Sequence, residues 1–574
     1  MNKGKWIFQI LFRTGMLFLS ALPRFCYSES EILLESEPMS EEMLLFQEIP
    51  SVYSASKYEQ KVTEAPSSVS IITIDEIKKY GYRTFAEILN SVRGFHVTYD
   101  RMYSYLGVRG FGIPGDYNTR VLVLIDGHRI SDNIFNQSML GTEFPLDIDL
   151  IDRVEIVRGP GSSLYGSNAF FAVINVITRN GRDMKGLETS GDAGSHETYK
   201  GRFSYGNRFQ NGLEMLLSGS YYDSEGHDRL FFKEYDHPET NHGIAKDLDS
   251  DQFKSLFSKL QYRDFTLEGV FHAREKDVPT AAWGTVFNED LPSTDDTAFV
   301  DLKFDHTYEN QLNVLARVSY NYYHYTGDYP YTWGAPYPDI VYNSDCATGQ
   351  WLLGEVQLTK TLLDNHKGTI GIEGQYNLQQ NMLNYDHIPG GKNLDGKWNS
   401  QYWAVYLQDD YAITNHLTLN AGVRFDYYET FGDTINPRAA LIYNPFEKST
   451  FKVVYGSAFR APNVFELYYK LSNSQKANPD LKPEMIDTYE LVYEQYLGKY
   501  YRGTVVGFYN HIEDLIAIKT DTTDGLLVFD NIDAANTKGI ELEMEGKWPG
   551  GHEGRISYTF QETEDKATGK ILVN

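Results

Sequence analysis

From about Lys185 onward, apolar residues recur at every second position, and that period dictates what the chain can become. In Leu417–Tyr427 the odd positions are Leu, Leu, Ala, Val, Phe and Tyr, while the even positions are Thr418, Asn420, Gly422, Arg424 and Asp426. Leu312, Val314, Ala316, Val318 and Tyr320 repeat the pattern, with Asn313, Arg317 and Ser319 on the opposite face. Successive side chains of a strand point to opposite faces, so such a strand separates an apolar medium from a polar one. No window reaches the roughly 18 to 20 apolar residues of a spanning helix. Any membrane crossing therefore falls to strands, which lipid tolerates only in a closed sheet.

The alternation predicts an antiparallel barrel with lipid outside and a polar lumen. Short turns such as Tyr262-Arg263-Asp264 and Ile413-Thr414-Asn415 alternate with long loops at 226–250, 275–296, 326–349, 379–400, 458–483 and 511–536. Short turns on one side and long loops on the other are the asymmetry of outer-membrane barrels. The pattern yields about 17 strand segments. Tyrosine dominates the aromatics, 43 against seven tryptophans, and mean hydropathy is −0.43, as aromatic girdles around a wet lumen require. A formal net charge of −27 argues against nucleic-acid binding, which needs clustered Lys and Arg.

The N-terminus joins Lys3 and Lys5 to an apolar run and then small residues, which predicts a secretory signal over 1–28. Arg13 interrupts the apolar core, and a buried N-terminal helix is the alternative. Cys26 leaves with the signal, so Cys346 forms neither an intramolecular disulfide nor a Cys-based metal site. An acidic tether follows over 29–60, too charged to pack as a domain.

Within Ile151–Arg179, two apolar strand patterns flank Gly159-Pro160-Gly161-Ser162-Ser163 and Tyr165-Gly166-Ser167. The glycines invite a phosphate-loop reading, but the Gly-Lys-Ser/Thr ending is missing. Arg-Gly-Pro at 158–160, Leu-Tyr-Gly at 164–166 and Val-Ile-Asn-Val-Ile-Thr at 173–178 closely resemble the signature near the end of the plug domain of TonB-dependent outer-membrane receptors. Phe171-Ala172 stands where that family usually has Gly-Gly. Upstream, Val69–Ile74, the helix start at Thr84 with Glu87 three residues on, the stop at Gly94, Val108-Arg109-Gly110-Phe111 and Val121–Gly127 match the plug landmarks in order. A second match lies in Phe459-Arg460-Ala461-Pro462 and Asn478-Pro479-Asp480-Leu481, which resemble the FRAP and NPNL boxes of the same family.

The resemblance implies an all-β transmembrane antiparallel barrel of the 22-stranded type, with an N-terminal α+β plug, 61–182, inside the lumen of a barrel spanning 183–574. Thr537–Asn574 resembles a region well before the family's C-terminus, so about five C-terminal strands are expected to be missing. The resemblance places a TonB box at Ile49, Pro50, Ser51, Val52 and Tyr53, a segment suited to β-strand addition or otherwise a plain linker. Plug loops holding Tyr103, Tyr105 and Tyr117 would touch ligand or else pack on the wall. The aromatic run Tyr320–Tyr342, with Tyr325, Tyr329, Tyr331 and Trp333, suits a flat chelate and equally an extracellular girdle. Arg109 and Arg158, read as lying on plug strands, with Glu490 and Glu541 on the barrel match the family's plug-to-wall ion cluster.

His227, His237 and His242 among the carboxylates of 223–251 form a solvated loop or a metal site; no metal ligand is assigned. Val464–Ala477 lacks the histidine of haem-transporting members. No cofactor and no catalytic constellation is found. The expected protein is a monomeric, energy-coupled receptor in the outer membrane of a Gram-negative bacterium. It would import a ferric siderophore with TonB as partner; cobalamin or haem are alternative cargoes, and a TonB-independent adhesin or phage attachment site is the other class.

Overall fold

The computed structural model describes residues 49–574, except 113–114, 389, 472–473, 533, 567–568 and 573–574. The predicted signal and most of the tether lie outside the described residues. Helices are short, and none is long and apolar enough to cross a membrane.

The inner domain begins with β1 (Ser51–Val52) and β2 (Gln60–Lys61), followed by β3 (Ser68–Thr73), helices α1 (Ile74–Tyr80) and α2 (Phe85–Asn90), β4 (Phe95–Tyr99), β5 (Ser104–Val108), β6 (Val121–Ile125), β7 (His128–Arg129), β8 (Ile151–Arg158), the one-turn α3 (Ser162–Tyr165) and β9 (Ala172–Thr178). Five of these strands make one sheet in the order β3-β8-β9-β6-β7, in which only β6 and β9 run parallel. The near-continuous apolar runs Val121–Ile125 and Ala172–Val176 are buried on both faces, as central strands require. Asp126 (φ 47°) and Gly127 (φ 81°) turn β6 back into β7, the left-handed pair that Asp-Gly supplies. α1 carries the complete reciprocal cap, Thr73 with Glu76. At α2, Thr84 caps Glu87, but the Glu87 carboxylate bonds the Arg83 backbone instead.

Around this domain runs a second, wholly antiparallel sheet of 18 strands, from Gly186–Gly194 to Ile571–Leu572, every neighbour pair consecutive along its length. Seventeen of its strands have nine or more residues; the last has two. Its outward positions form an apolar belt, including Val318, Tyr320, Val423, Tyr427, Val453 and Leu491, while Arg317, Asn420, Arg424 and Asp426 are buried on the lumen face. No pairing joins the two edges of this sheet among the described residues.

Two expected loops are strands. Residues 326–349 and 379–400 extend the hairpins Leu312–Tyr331/Val341–Leu362 and His366–Asp386/Gly391–Thr414, leaving only 332–340 and 387–390 as connections. The reason lies in the residues: Tyr323, Tyr325, Tyr329 and Tyr331 keep the two-residue period and the β-propensity of aromatics past the apolar belt. The long connections, 225–250, 278–291, 461–483 and 514–534, all lie on this side, together with the short 195–197 and 429–431; those opposite, such as 363–365 and 415–416, are short throughout.

Candidate functional site

At the long-loop end, plug and wall share one aromatic cluster. Tyr103 and Tyr105 come from the plug, Tyr323, Tyr325 and Tyr329 from the wall strand, and Tyr469 from the connection after Phe459-Arg460-Ala461-Pro462, with Met102, Met139 and Trp351 filling between them. Tyr117, Phe135 and Phe465 pack at its edge. The hydroxyls of Tyr103 and Tyr323 donate to Asp295 at 2.9 and 3.1 Å, the Tyr469 hydroxyl donates to Asp345, and the hydroxyls of Tyr325 and Tyr329 bond each other. Burial, then the Asp295 charge, push the Tyr103 phenol well above its ordinary range, so it donates at any physiological pH. Six of the predicted ligand residues thus meet in one place, but as a packed floor rather than as exposed loops: Tyr103, Tyr105, Tyr325 and Tyr329 are each at most 8% exposed, and Tyr331 is half-buried. Trp333 stands apart from the cluster, exposed on 332–340 with its ring 6.1 Å from that of Tyr337.

Below this floor lies the ion cluster. Arg109 Nε donates to Glu541 Oε1 at 2.8 Å, and its Nη1 donates to Glu490. Arg158 spans Ser68 and Ser70 at 3.0 and 2.9 Å, with its Nε 3.9 Å from Glu541. All four predicted residues therefore converge. Arg109 is not on a strand, however: β5 ends at Val108, and Arg109 (φ 51°) with Gly110 forms a left-handed turn that aims the guanidinium at the wall. Glu490 and Glu541 oppose its burial and hold its pKa above the usual guanidinium value; burial, then neighbouring Arg93, push Arg158 down to about 10.

Two members were missed. Arg93 donates to Glu541 at 3.0 Å and to Glu543 at 2.7 Å. The alternation Glu541, Glu543, Glu545 places all three on the lumen face, which was the available signal; Arg93 had none beyond preceding Gly94. The plug backbone comes close enough that glycine is required. A Cβ on Gly94 (φ 77°) would sit 2.9 Å from Glu541 Oε1, and one on Gly159 (φ 90°) 3.1 Å from Glu490 Oε1. A further missed network ties Arg120 of the plug to Glu484 at 2.9 and 2.6 Å, which also accepts from Arg460 of the Phe-Arg-Ala-Pro run.

At the short-turn end sits the segment expected as a TonB box. It is not a free extended edge. β1 pairs with β2, Val52 is fully buried, and the buried Glu155 carboxylate accepts from the Tyr53 and Ser54 amides and the Ser54 hydroxyl at 3.1, 2.9 and 2.6 Å. Val52 belongs to an apolar cluster with Ala55, Val62 and Leu122, which explains the docking. Ile49 is half-buried and Pro50 and Ser51 are exposed. Beside the segment opens a cavity of about 670 Å³ lined by Tyr53, Lys57, Tyr58, Lys303 and Lys367.

The histidines of 223–251 do not gather: no group of three metal-ligating side chains occurs among the described residues. Cys346 is half-buried and free.

Comparison with known proteins bears on both domains. Residues 243–574 match a family model described as TonB dependent receptor-like, beta-barrel, and residues 61–173 one described as TonB-dependent Receptor Plug Domain. A vitamin B12 transporter BtuB of Vibrio vulnificus is 26% identical over 512 residues, covering 86% of this chain and 74% of the relative. An iron-regulated outer membrane virulence protein of Vibrio cholerae is 25% identical, covering 90% and 78%. Among solved structures, the siderophore receptor PirA of Acinetobacter baumannii superposes with a TM-score of 0.66 at 18% identity, covering 88% and 81%. A ferric enterobactin receptor PfeA of Pseudomonas aeruginosa gives 0.69 at 17%, covering 91% and 83%.

Proposed function

The chain belongs to the TonB-dependent receptor family, a transporter and receptor family of outer-membrane barrels rather than of enzymes, and from that premise we propose that it imports a ferric siderophore captured at its long-loop face. The observation that carries this reading is the stacking of three parts along one lumen: an aromatic floor below the loops, an ion-pinned plug, and an N-terminal segment at the opposite mouth. Ligand contact at the floor would reach the plug directly, because Tyr103 and Tyr105 belong to β5 and its approach, and β5 leads straight into Arg109. The segment 49–53 would be the TonB contact, engaged by strand addition once it leaves β2 and Glu155. Cobalamin is the second reading, favoured by the relative described as a vitamin B12 transporter.

Titrating the full chain with ferric hydroxamates, ferric catecholates, cobalamin and haem while following Tyr and Trp fluorescence tests the reading. Saturable submicromolar quenching by an iron chelate is expected, with uptake, but not binding, lost on deleting 49–53. Uptake or surface attachment that survives the deletion would point instead to a TonB-independent adhesin.

A further inference from the structure

The plug is tied to the wall unevenly. Ion pairs join it to the wall strands up to Thr307, through Asp147–Lys200, Asp149–Arg202 and Asp126–Lys259. Others join it to the strands from Glu484 onward, through Arg120–Glu484, Arg109–Glu541, Arg93–Glu541 and Glu76–Arg555. Between these groups stand seven strands, from Leu312 to Arg460. Across all seven, one plug-to-wall ion pair occurs among the described residues, Lys57–Glu355, and it belongs to the turn of the β1–β2 hairpin. The plug core meets these strands through hydrogen bonds to backbone carbonyls, such as Arg317 to Asp126 at 2.8 Å and Arg424 to Leu164 at 3.1 Å. Both guanidiniums also pair with a wall carboxylate, Asp301 or Asp426. Parting plug from wall here leaves neither of them without a counter-ion, whereas parting the buried ion pairs elsewhere leaves charges alone.

The cavity of about 670 Å³ lies on this side, and its volume falls within the range of about 300–1,000 Å³ usual for ligand sites. The hairpin contributes Tyr53, Lys57, Tyr58 and Glu59 to its lining, the wall Gln357 and Thr359 among others. Lys57 (φ 59°) is buried in a left-handed conformation, which is costly for a residue with a Cβ. Its ammonium lies 4.9 Å from the ring centre of Tyr165 on the plug and 4.7 Å from that of Tyr406 on the wall. Gln357 donates to its carbonyl at 3.2 Å, and the neighbouring Tyr58 bonds Asp410. Just past the hairpin the wall grips the chain again. Lys452 donates to the carbonyls of Val62 and Ser67, both at 2.9 Å, and Arg438 to that of Pro66 at 2.5 Å.

We propose that the hairpin, residues 51–61, is a removable stopper with Lys57 as its bolt, and that imported cargo passes between the plug and the wall strands Leu312–Arg460 while the plug stays pinned on its other sides. Traction on 49–53 peels β1 from β2, parts Lys57 from Glu355 and is arrested at the grip on 62–67, before it reaches β3. The proposal rests on the import reading above and adds the side of the plug that opens.

Two tethers in a Cys346→Ser background test it. Tyr58→Cys with Asp410→Cys, joined by a short bismaleimide, fixes the stopper to the wall. Lys79→Cys with Glu553→Cys, whose native side chains pair at 3.3 Å, fixes the plug on the pinned side. Cells carrying each pair are given radiolabelled ferric hydroxamate, ferric catecholate and cobalamin, and the ligand they import before tethering is followed. The first tether should cut uptake at least tenfold with binding unchanged; the second should leave uptake within twofold. Uptake that survives the first tether, or is lost with the second, overturns the proposal and leaves the import reading standing. No uptake before tethering overturns both. A second measurement needs no cargo. In the purified chain, in the same background, Gln357→Cys replaces a side chain 1% exposed, and adding Lys57→Met should speed its reaction with a water-soluble maleimide at least tenfold. Thr537→Cys, equally buried on the pinned side, should react no faster when Lys57→Met is added. An unchanged rate at position 357 overturns the role of Lys57 as the bolt.

Discussion

Glu541 is fully buried, yet three plug guanidiniums face it: Arg109 and Arg93 by hydrogen bonds, Arg158 at 3.9 Å. Such forks confer geometry more than net stability, but deleting Glu541 takes from Arg158 the one carboxylate it meets among the described residues and leaves Arg109 and Arg93 with only Glu490 and Glu543, at a cost of about 3–5 kcal/mol. Glu541→Ala should therefore loosen the plug without unfolding the barrel. Hydrogen exchange at β8 is expected to quicken by two or more orders of magnitude while exchange in the strand Leu417–Tyr428 stays unchanged. Equal protection of β8 in variant and parent would remove the ion cluster as the plug's anchor. The four predicted residues were legible because each lies in a recognisable run. Arg93 was not, because nothing in Ser91-Val92-Arg93-Gly94 announces a lumen contact; only the fold brings it 448 positions away to Glu541.

Single elements show where periodicity is informative and where it is not. Alternation gives the wall strands their register and faces. It also continues through Tyr323–Tyr331, where aromatic density resembled a ligand loop but made a longer strand. Arg109 fails in the other direction: Val108-Arg109-Gly110-Phe111 alternates like a strand, yet two consecutive left-handed residues make it a turn. The N-terminal segment carries no period at all. Its docking comes from Val52 entering an apolar cluster and from Glu155 capping three donors, both long-range events. Because Glu155 accepts from all three donors, Glu155→Ala should release the segment while the five-stranded sheet persists. A cysteine placed by Ser51→Cys in a Cys346→Ser background should then react with a water-soluble maleimide at least tenfold faster than in the parent. An unchanged rate would mean that β2 and Val52 alone hold the segment.

At the scale of the molecule, two asymmetries agree. The plug's N-terminal segment meets the wall near the short turns, where Gln357 bonds the Lys57 carbonyl at 3.2 Å and Tyr58 bonds Asp410. The aromatic floor lies at the other end, beneath the long connections. A receptor driven from the periplasm must present the first end inward and the second outward, and the belt of outward apolar residues fixes the wall in lipid between them. Orientation therefore follows from the chain itself. With Cys346→Ser as background, a cysteine at the exposed Trp333 position (Trp333→Cys, on 332–340) should label in intact cells with a membrane-impermeant reagent. One at Leu363 (Leu363→Cys, 87% exposed on 363–365) should label only after the outer membrane is permeabilised. Labelling of position 363 in intact cells would invert the barrel. It would also put the long acidic loops on the TonB side and remove the import reading, which needs them outside.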